Sequence, residues 1–137
     1  MAIGDLFVVR GPVDRAYVKR RFDVLVKLPT ARAAGIMDTM KAKELIRRRV
    51  VIAENAFADI VVWHVPEPVP GSTHRFKYRL AFVVDGQCVM RYDNESGKGD
   101  HRHVDDQEDP YIFSSPRQLT ADFFDEISRW RHEHAHN

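Results

Sequence analysis

Residues 75–93 read RFKYRLAFVVDGQCVMRYD, two runs of alternating apolar and polar residues that meet at residues 85–86. An Asp-Gly pair between such runs is typical of a β-hairpin. A two-residue loop would pair Val84 with Gln87 and would mix charge into both faces. A three-residue loop pairs Val83 with Gln87 and keeps one face apolar. Because a one-residue slip moves every side chain to the other face, we predict the second register.

This register has consequences for individual side chains. Cys88 falls on the apolar face, where a free cysteine is usually a small core residue. Arg79 falls opposite Arg91, and such a like-charge pair is unfavourable unless an anion or a carboxylate lies between the guanidinium groups. A phosphate-binding face is one interpretation, and an internal partner such as Glu95 or Glu54 is the other.

Toward the N terminus the alternation continues and then changes. It predicts strands at residues 50–54 and 58–65. Residues 38–48 begin with a capping side chain at Asp38 and end in a basic run that suits the negative end of a helix dipole. We therefore predict a helix before the sheet.

The N-terminal residues are the least informative part of the chain. Short apolar runs at residues 6–9 and 22–26 could form strands, but residues 1–36 show no clear link to the rest of the chain. Met37 is an alternative start. We predict that residues 1–36 are an extension upstream of the native start with weak order, and that residues 37–137 form a single domain.

A second helix is predicted at the C-terminal end. Ser115 is a suitable N-cap, Pro116 suits the first helical position, and Gln118 could complete a capping box. The helix is expected to run to about Arg131, with an apolar stripe at helical spacing. The stripe consists of Leu119, Phe123, Ile127 and Trp130.

Together these elements predict an α+β fold. The sheet is expected to be an antiparallel meander of about four strands, flanked by an N-terminal helix and a C-terminal helix. Its strands would be residues 50–54, 58–65, 75–84 and 87–93.

The composition is that of an ordinary globular protein. The chain of 137 residues is 44% hydrophobic and 30% charged, and its single cysteine cannot form an internal disulfide. No apolar run approaches the roughly 18 residues that cross a bilayer, and no signal peptide pattern opens the chain. We expect a soluble cytoplasmic protein with no membrane partner, and the sequence leaves open whether it forms a homo-oligomer.

Charge is unevenly distributed along the chain. Residues 1–49 contain 12 basic and 5 acidic residues, a net charge of +7, whereas residues 50–137 contain 9 and 15, a net charge of −6. A basic arm on an acidic body indicates nucleic acid or an acidic partner, although a solvated basic surface explains it equally well.

Residues 92–103, YDNESGKGDHRH, hold the densest set of chemically active groups. If residues 100–103 are extended, His101 and His103 project to the same side and can act as general acid and base. Lys98 and Arg102 could stabilise developing charge, and Asp93 or Asp100 could orient an imidazole. These are the groups that metal-independent RNA cleavage requires, since charge builds on the phosphate as the 2′-hydroxyl attacks.

Two other interpretations of this motif remain open. A His-x-His pair near Asp93, Glu95 or Asp100 could hold a zinc or manganese ion, but the spacing matches no specific ligand signature. The loop could also be purely structural, with its charges satisfying one another. No P-loop, dinucleotide fingerprint or Gly-x-Ser-x-Gly is present, so we expect no cofactor and no metal.

The motif also carries a family resemblance. Residues 77–82 (KYRLAF), 92–95 (YDNE) and 97–103 (GKGDHRH), followed by residues 111–113 and a terminal helix, resemble the TumE-like toxins of prokaryotic toxin–antitoxin pairs. The resemblance covers roughly residues 40–131, and residues 1–36 look foreign to it. It implies an antitoxin partner, usually a helix-turn-helix DNA-binding protein, and it carries RNA cleavage only as a guess.

The leading expectation is therefore a type II toxin that acts on RNA as a metal-independent endoribonuclease. The candidate catalytic residues are His101, His103, Asp100, Lys98 and Arg102. The candidate substrate-binding residues are Lys77, Arg79, Arg91, Asp93, Asn94 and Glu95. The alternatives are a non-catalytic module that binds an anion or a partner, and a metal-dependent nuclease or transferase.

Overall fold

The computed structural model describes residues 6–8 and 41–135. Within them the strands form one sheet in chain order: β1 Leu6–Val8, β2 Lys43–Ala53, β3 Ala56–His64, β4 Phe76–Val84, β5 Gln87–Glu95, β6 Gly99–Val104 and β7 Gln107–Pro110. β1 runs parallel to β2, and the other neighbouring strands are antiparallel. Helix α1, Pro116–His134, follows the sheet.

The central hairpin has a register that neither simple loop produces. Val84 pairs with Gln87 across a two-residue turn, and residues 85 and 86 have φ of 51° and 77°, as a type I′ turn requires. A β-bulge follows, so that Phe82 pairs with Met90. The predicted three-residue loop is therefore wrong. One face of the hairpin is nevertheless apolar, as the three-residue loop required. The extra residue in β5 restores the alternation of apolar and polar side chains.

The corrected register changes the pairing of the arginines. Arg79 lies opposite Asp93, and Arg91 lies opposite Ala81, so the expected like-charge pair does not form. Cys88 is exposed rather than part of the core, because the bulge places it outside the apolar row. The two arginines are therefore diagonal neighbours on one face and not a directly opposed pair.

The helix predicted at residues 38–48 is wrong over its described part, because β2 begins at residue 43. Residues 38–40 lie outside the described residues. The charged side chains of β2 find partners in the sheet: Arg49 donates to both carboxylate oxygens of Asp59 on β3, at 2.7 and 2.9 Å. Such long-range pairing overrides the helix propensity of a Lys, Glu, Leu and Arg-rich segment, which is a weak local preference.

The sheet also continues past the expected four strands. Residues 99–104 form β6 rather than a loop, and residues 107–110 form β7. β7 is acidic, and all four of its residues are exposed, so it has no apolar alternation by which a strand could be recognised. The expectation of four strands between two helices is wrong. The described residues contain six antiparallel strands with β1 at the edge and one C-terminal helix, which is still an α+β arrangement.

Helix α1 begins where it is predicted, extends to His134 rather than Arg131, and covers one face of the sheet. Ser115 is its N-cap and accepts a hydrogen bond from the backbone N–H of Gln118. The side chain of Gln118 donates to Asp122 and does not complete the predicted capping box. The apolar stripe of the helix packs against alternate residues of β2 to β5. The largest fully buried members of this core include Tyr92, Phe82, Phe123, Phe124, Ile52 and Leu80.

The predictions for the N-terminal region remain partly open. Leu6–Val8 forms the strand expected near residues 6–9 and pairs with β2, whereas the strand suggested at residues 22–26 lies outside the described residues. That residues 1–36 are an upstream extension, and that residues 37–137 are one domain, stay predictions. Among the described residues, no helix is long and apolar enough to cross a membrane.

One tight backbone contact gives a testable stability effect. Gly99 has a φ of +77°, and a Cβ there would lie 2.8 Å from the carbonyl oxygen of Gly71. Because the contact is with backbone, which cannot swing aside, Gly99→Ala is expected to destabilise the protein by about 2–4 kcal/mol in denaturant unfolding. Gly97→Ala is the matched control: its φ is +87°, but nothing lies within 4 Å of the added Cβ. It should cost only the left-handed strain of about 1–2 kcal/mol, and equal effects would contradict the backbone clash.

Candidate functional site

The alternation of β6 divides residues 100–103 between the two faces of the sheet. His101 pairs with Asp93, and His103 pairs with Arg91, so both histidines project to one side, as expected. This is the face opposite α1, which we call the outer face. Asp100 and Arg102 point to the α1 side, and the motif is therefore not a single cluster.

On the outer face four side chains from β5 and β6 are in contact, and we call them the histidine cluster: Arg91, Asp93, His101 and His103. Arg91 Nε lies 3.0 Å from Asp93 Oδ2, and Arg91 Nη2 lies 3.0 Å from His103 Nε2. Asp93 Oδ1 in turn lies 2.7 Å from His101 Nε2. The guanidinium group of Arg91 thus joins the carboxylate of Asp93 to the imidazole of His103.

The hydrogen-bond partners indicate the protonation of each ring. His101 Nδ1 lies 2.9 Å from the carbonyl oxygen of Gly99, and Nε2 faces the Asp93 carboxylate. Both ring nitrogens of His101 thus lie next to oxygen acceptors. His103 Nε2 faces Arg91, whose guanidinium can only donate, so this nitrogen accepts and the ring proton lies on Nδ1. The two histidines therefore differ in the hydrogen-bond partners of their ring nitrogens.

The histidines also differ in access. The side chain of His101 is 5% exposed and that of His103 is 26% exposed. Among the described residues, three buried atoms of the cluster pair with an opposite charge but outside normal hydrogen-bond geometry: Arg91 Nε, Asp93 Oδ1 and His101 Nε2. Buried polar atoms of this kind are rare in folded proteins, so three of them at one point make the cluster a candidate functional site.

Two neighbouring cavities, which share Val61 and Arg79 in their linings, form a cationic groove on the outer face from β2 to Arg91 and Asp93 of the cluster. The part nearest the cluster has a volume of about 350 Å³ and includes Trp63, Lys77 and Arg79 in its lining. The part nearest β2 has a volume of about 530 Å³ and includes Arg49, which lies 4.0 Å from the ring centre of Phe57. Cations interleaved with aromatic rings suit a ligand with phosphates and bases.

Asp100 is held in a hydrogen-bond network on the α1 side. Its carboxylate accepts from Ser72 Oγ at 2.7 Å and from the Tyr78 hydroxyl at 2.7 Å, and it lies 2.6 Å from His74 Nε2. Burial and then the bond to Asp100 raise the pKa of Tyr78 above its ordinary value. Asp100 therefore fixes β6 to the segment that follows β3, and it does not face the groove.

Asn94 and Arg102 also lie on the α1 side. Asn94 is buried, and its amide binds the backbone N–H of Tyr78 and the carbonyl oxygen of Phe76. Arg102 donates to Glu126 of α1 at 3.1 Å. Both side chains are occupied by protein groups, so their placement supports a structural role.

The remaining predicted residues stay near the outer face. Lys98 lies on the β5–β6 turn, exposed, 3.8 Å from Glu95 and 3.9 Å from Glu108. Lys77, Arg79 and Glu95 line the groove together with Arg91 and Asp93. Sequence reasoning missed Glu108, whose Oε1 is 3.8 Å from Nε2 of both histidines, because its strand carries no recognisable pattern. Trp63 was read only as part of a strand.

Comparison with known protein families shows a relationship. A family model described as Toxin TumE matches residues 22–131. The matched range contains β2 to β7 and most of α1, and it begins closer to the N terminus than the resemblance over residues 40–131. No curated protein and no solved structure matches the chain.

Proposed function

The chain belongs to the TumE family of toxins, and on that premise we propose that it is a toxin that arrests growth by cleaving RNA without a metal ion. The observation that carries this proposal is that Arg91 and Asp93, which line a cationic groove, contact His103 and His101 respectively. A groove of this kind suits a phosphate backbone, and an imidazole that accepts a hydrogen bond suits proton removal.

In the proposed reaction His103 is the residue that contacts the substrate. Arg91 turns from His103 to the scissile phosphate, and the freed His103 Nε2 removes the proton of the attacking 2′-hydroxyl. The charge that builds on the phosphate oxygens is stabilised by Arg91 and Arg79, and the leaving 5′-oxygen takes a proton from solvent. Arg91 already supplies a positive charge between Asp93 and His103, so this route needs no metal ion.

His101 has a different part in this proposal. Because its side chain is almost fully buried, it acts through Asp93 as a positioning residue. Its Nδ1 donates to Gly99, which fixes the ring, and its Nε2 holds Asp93 in reach of Arg91. The two histidines thus work as a pair in which only His103 reaches the RNA.

We also propose the cellular setting that the family implies. The toxin would act in the cytoplasm, where RNA is accessible, and would be neutralised by a cognate antitoxin, a helix-turn-helix protein. Lys77 and Arg79 would hold the phosphates on either side of the cleaved bond, and Trp63 would stack on a base.

Induced expression in a bacterial host is the test of this function. Growth should stop with the wild-type chain, total RNA should be fragmented, and co-expression of the antitoxin should restore growth. Intact RNA during arrest would exclude the ribonuclease mechanism while leaving toxicity in place. Absence of arrest would contradict the toxin itself.

A further inference from the structure

We infer that Asp93, His101 and His103 form a binding site for one divalent transition-metal ion, of which Zn²⁺ is the best fit, and that the ion switches the toxin off. One nitrogen or oxygen atom from each of these side chains lies within 4.8 Å of the others. Two of these atoms, His101 Nε2 and Asp93 Oδ1, are buried and lie 2.7 Å apart, outside acceptable hydrogen-bond geometry. Both are donors that zinc binds.

The geometry around His101 is that of a metal-binding histidine. Such a ring commonly donates its second N–H to a backbone carbonyl, which fixes the tautomer and aims the other nitrogen at the ion. His101 Nδ1 lies 2.9 Å from the carbonyl oxygen of Gly99, and Nε2 points into the cluster. Ligand atoms of tetrahedral zinc are roughly 3.3 Å apart, so the 2.7 Å between His101 Nε2 and Asp93 Oδ1 must open slightly.

Glu108 is positioned as a fourth ligand. Its Oε1 lies 3.8 Å from Nε2 of His101 and 3.8 Å from Nε2 of His103. Its side chain is 46% exposed, so it can approach an ion without breaking the core. Two imidazoles with two carboxylates suit Zn²⁺ better than Mg²⁺, which prefers oxygen ligands and water.

The guanidinium group of Arg91 competes with the ion for the same side chains, and this competition distinguishes the site from an adventitious one. The guanidinium contacts both Asp93 and His103, so it must leave before the ion can use His103, and its charge repels a cation. Metal and Arg91 are therefore alternative occupants of one position. Removing the guanidinium should strengthen metal binding, which no adventitious surface site would show.

The inhibitory effect rests on the proposed function, whereas metal binding does not. When His103 Nε2 coordinates an ion, it cannot remove the proton of a 2′-hydroxyl. Zinc should therefore inhibit RNA cleavage, and a chelator should leave the zinc-free toxin fully active.

Binding is measured first, by titrating the untagged protein with Zn²⁺ in a calorimeter or against a chromophoric chelator. The C-terminal tail contains His132, His134 and His136, so a variant with alanine at all three is the baseline. This tail variant should keep one tight site. His103→Ala on that background should weaken binding at least about tenfold, and Arg91→Met should strengthen it at least about tenfold. The metal site would be contradicted if the tail variant had no tight site. It would also be contradicted if neither His103→Ala nor Arg91→Met changed the affinity for zinc.

Cleavage of a defined RNA is measured second, on the tail variant with and without Zn²⁺ and with a chelator. Inhibition at a zinc concentration equal to the measured dissociation constant supports the switch. Cleavage that is unaffected by bound zinc would overturn the switch, even with the metal site intact. Cleavage that a chelator abolishes would overturn both the switch and the metal-independent mechanism, and would leave only the binding result.

Discussion

His103→Ala is expected to slow RNA cleavage by about 10²–10⁴-fold and to abolish growth arrest. The reason is chemical rather than structural, because His103 Nε2 accepts a hydrogen bond from Arg91 on the outer face, outside the core that α1 covers. Its loss removes the proposed base for the 2′-hydroxyl proton but leaves the sheet pairing unchanged. The free energy of unfolding should therefore fall by less than about 1 kcal/mol.

The measurement is a rate of cleavage on purified protein, with unfolding followed in parallel. His132→Ala is the matched control, because it removes an exposed imidazole on α1, which lies on the other side of the sheet. It should cleave RNA at the wild-type rate. A His103→Ala variant that is folded and equally active would exclude His103 as the base and would favour a non-catalytic binding module.

Arg79→Glu is expected to weaken RNA binding roughly ten- to a hundredfold. Arg79 lines both parts of the groove and lies opposite Asp93. The substitution replaces a proposed phosphate contact with a repelling carboxylate beside another carboxylate. The dependence of binding on salt should become shallower, because fewer counterions are released when RNA binds.

Binding of a single-stranded RNA is measured by fluorescence anisotropy at several salt concentrations. Arg117→Glu is the matched control: it makes the same change in net charge at an exposed position in the first turn of α1, on the other layer of the protein. Equal losses in the two variants would indicate a general effect of charge and would remove the groove from the proposal. If Arg79→Glu abolishes binding while His103→Ala keeps full toxicity, the protein acts by binding alone.

The sequence was sufficient where the information is local. The hairpin at residues 85–86 was predictable because an Asp-Gly pair suits the left-handed turn, and the Ser115 cap was predictable because its oxygen meets a nearby backbone N–H. The common orientation of His101 and His103 followed from the period of a strand. Each of these features depends on residues only a few positions apart.

Features that depend on distant residues could not be predicted in this way. Residues 43–48 have the composition of a helix, but β3 provides a partner edge and Asp59 provides a carboxylate for Arg49. The bulge in β5 could not be predicted from the local pattern, because the two-residue turn and the apolar face require different strand registers. An extra residue in β5 allows both. β7 has no pattern of its own and forms because β6 offers its edge.

The candidate site shows the same division. Residue types and spacing singled out the segment 92–103 as a candidate site, because imidazole is the side chain best suited to proton transfer near neutral pH. They could not show that Asp100 and Arg102 face α1, that His101 is buried, or that Arg91 joins Asp93 to His103. Those facts depend on which strand lies beside β5 and on which face a helix covers. Both are settled only when residues far apart in the chain pack together.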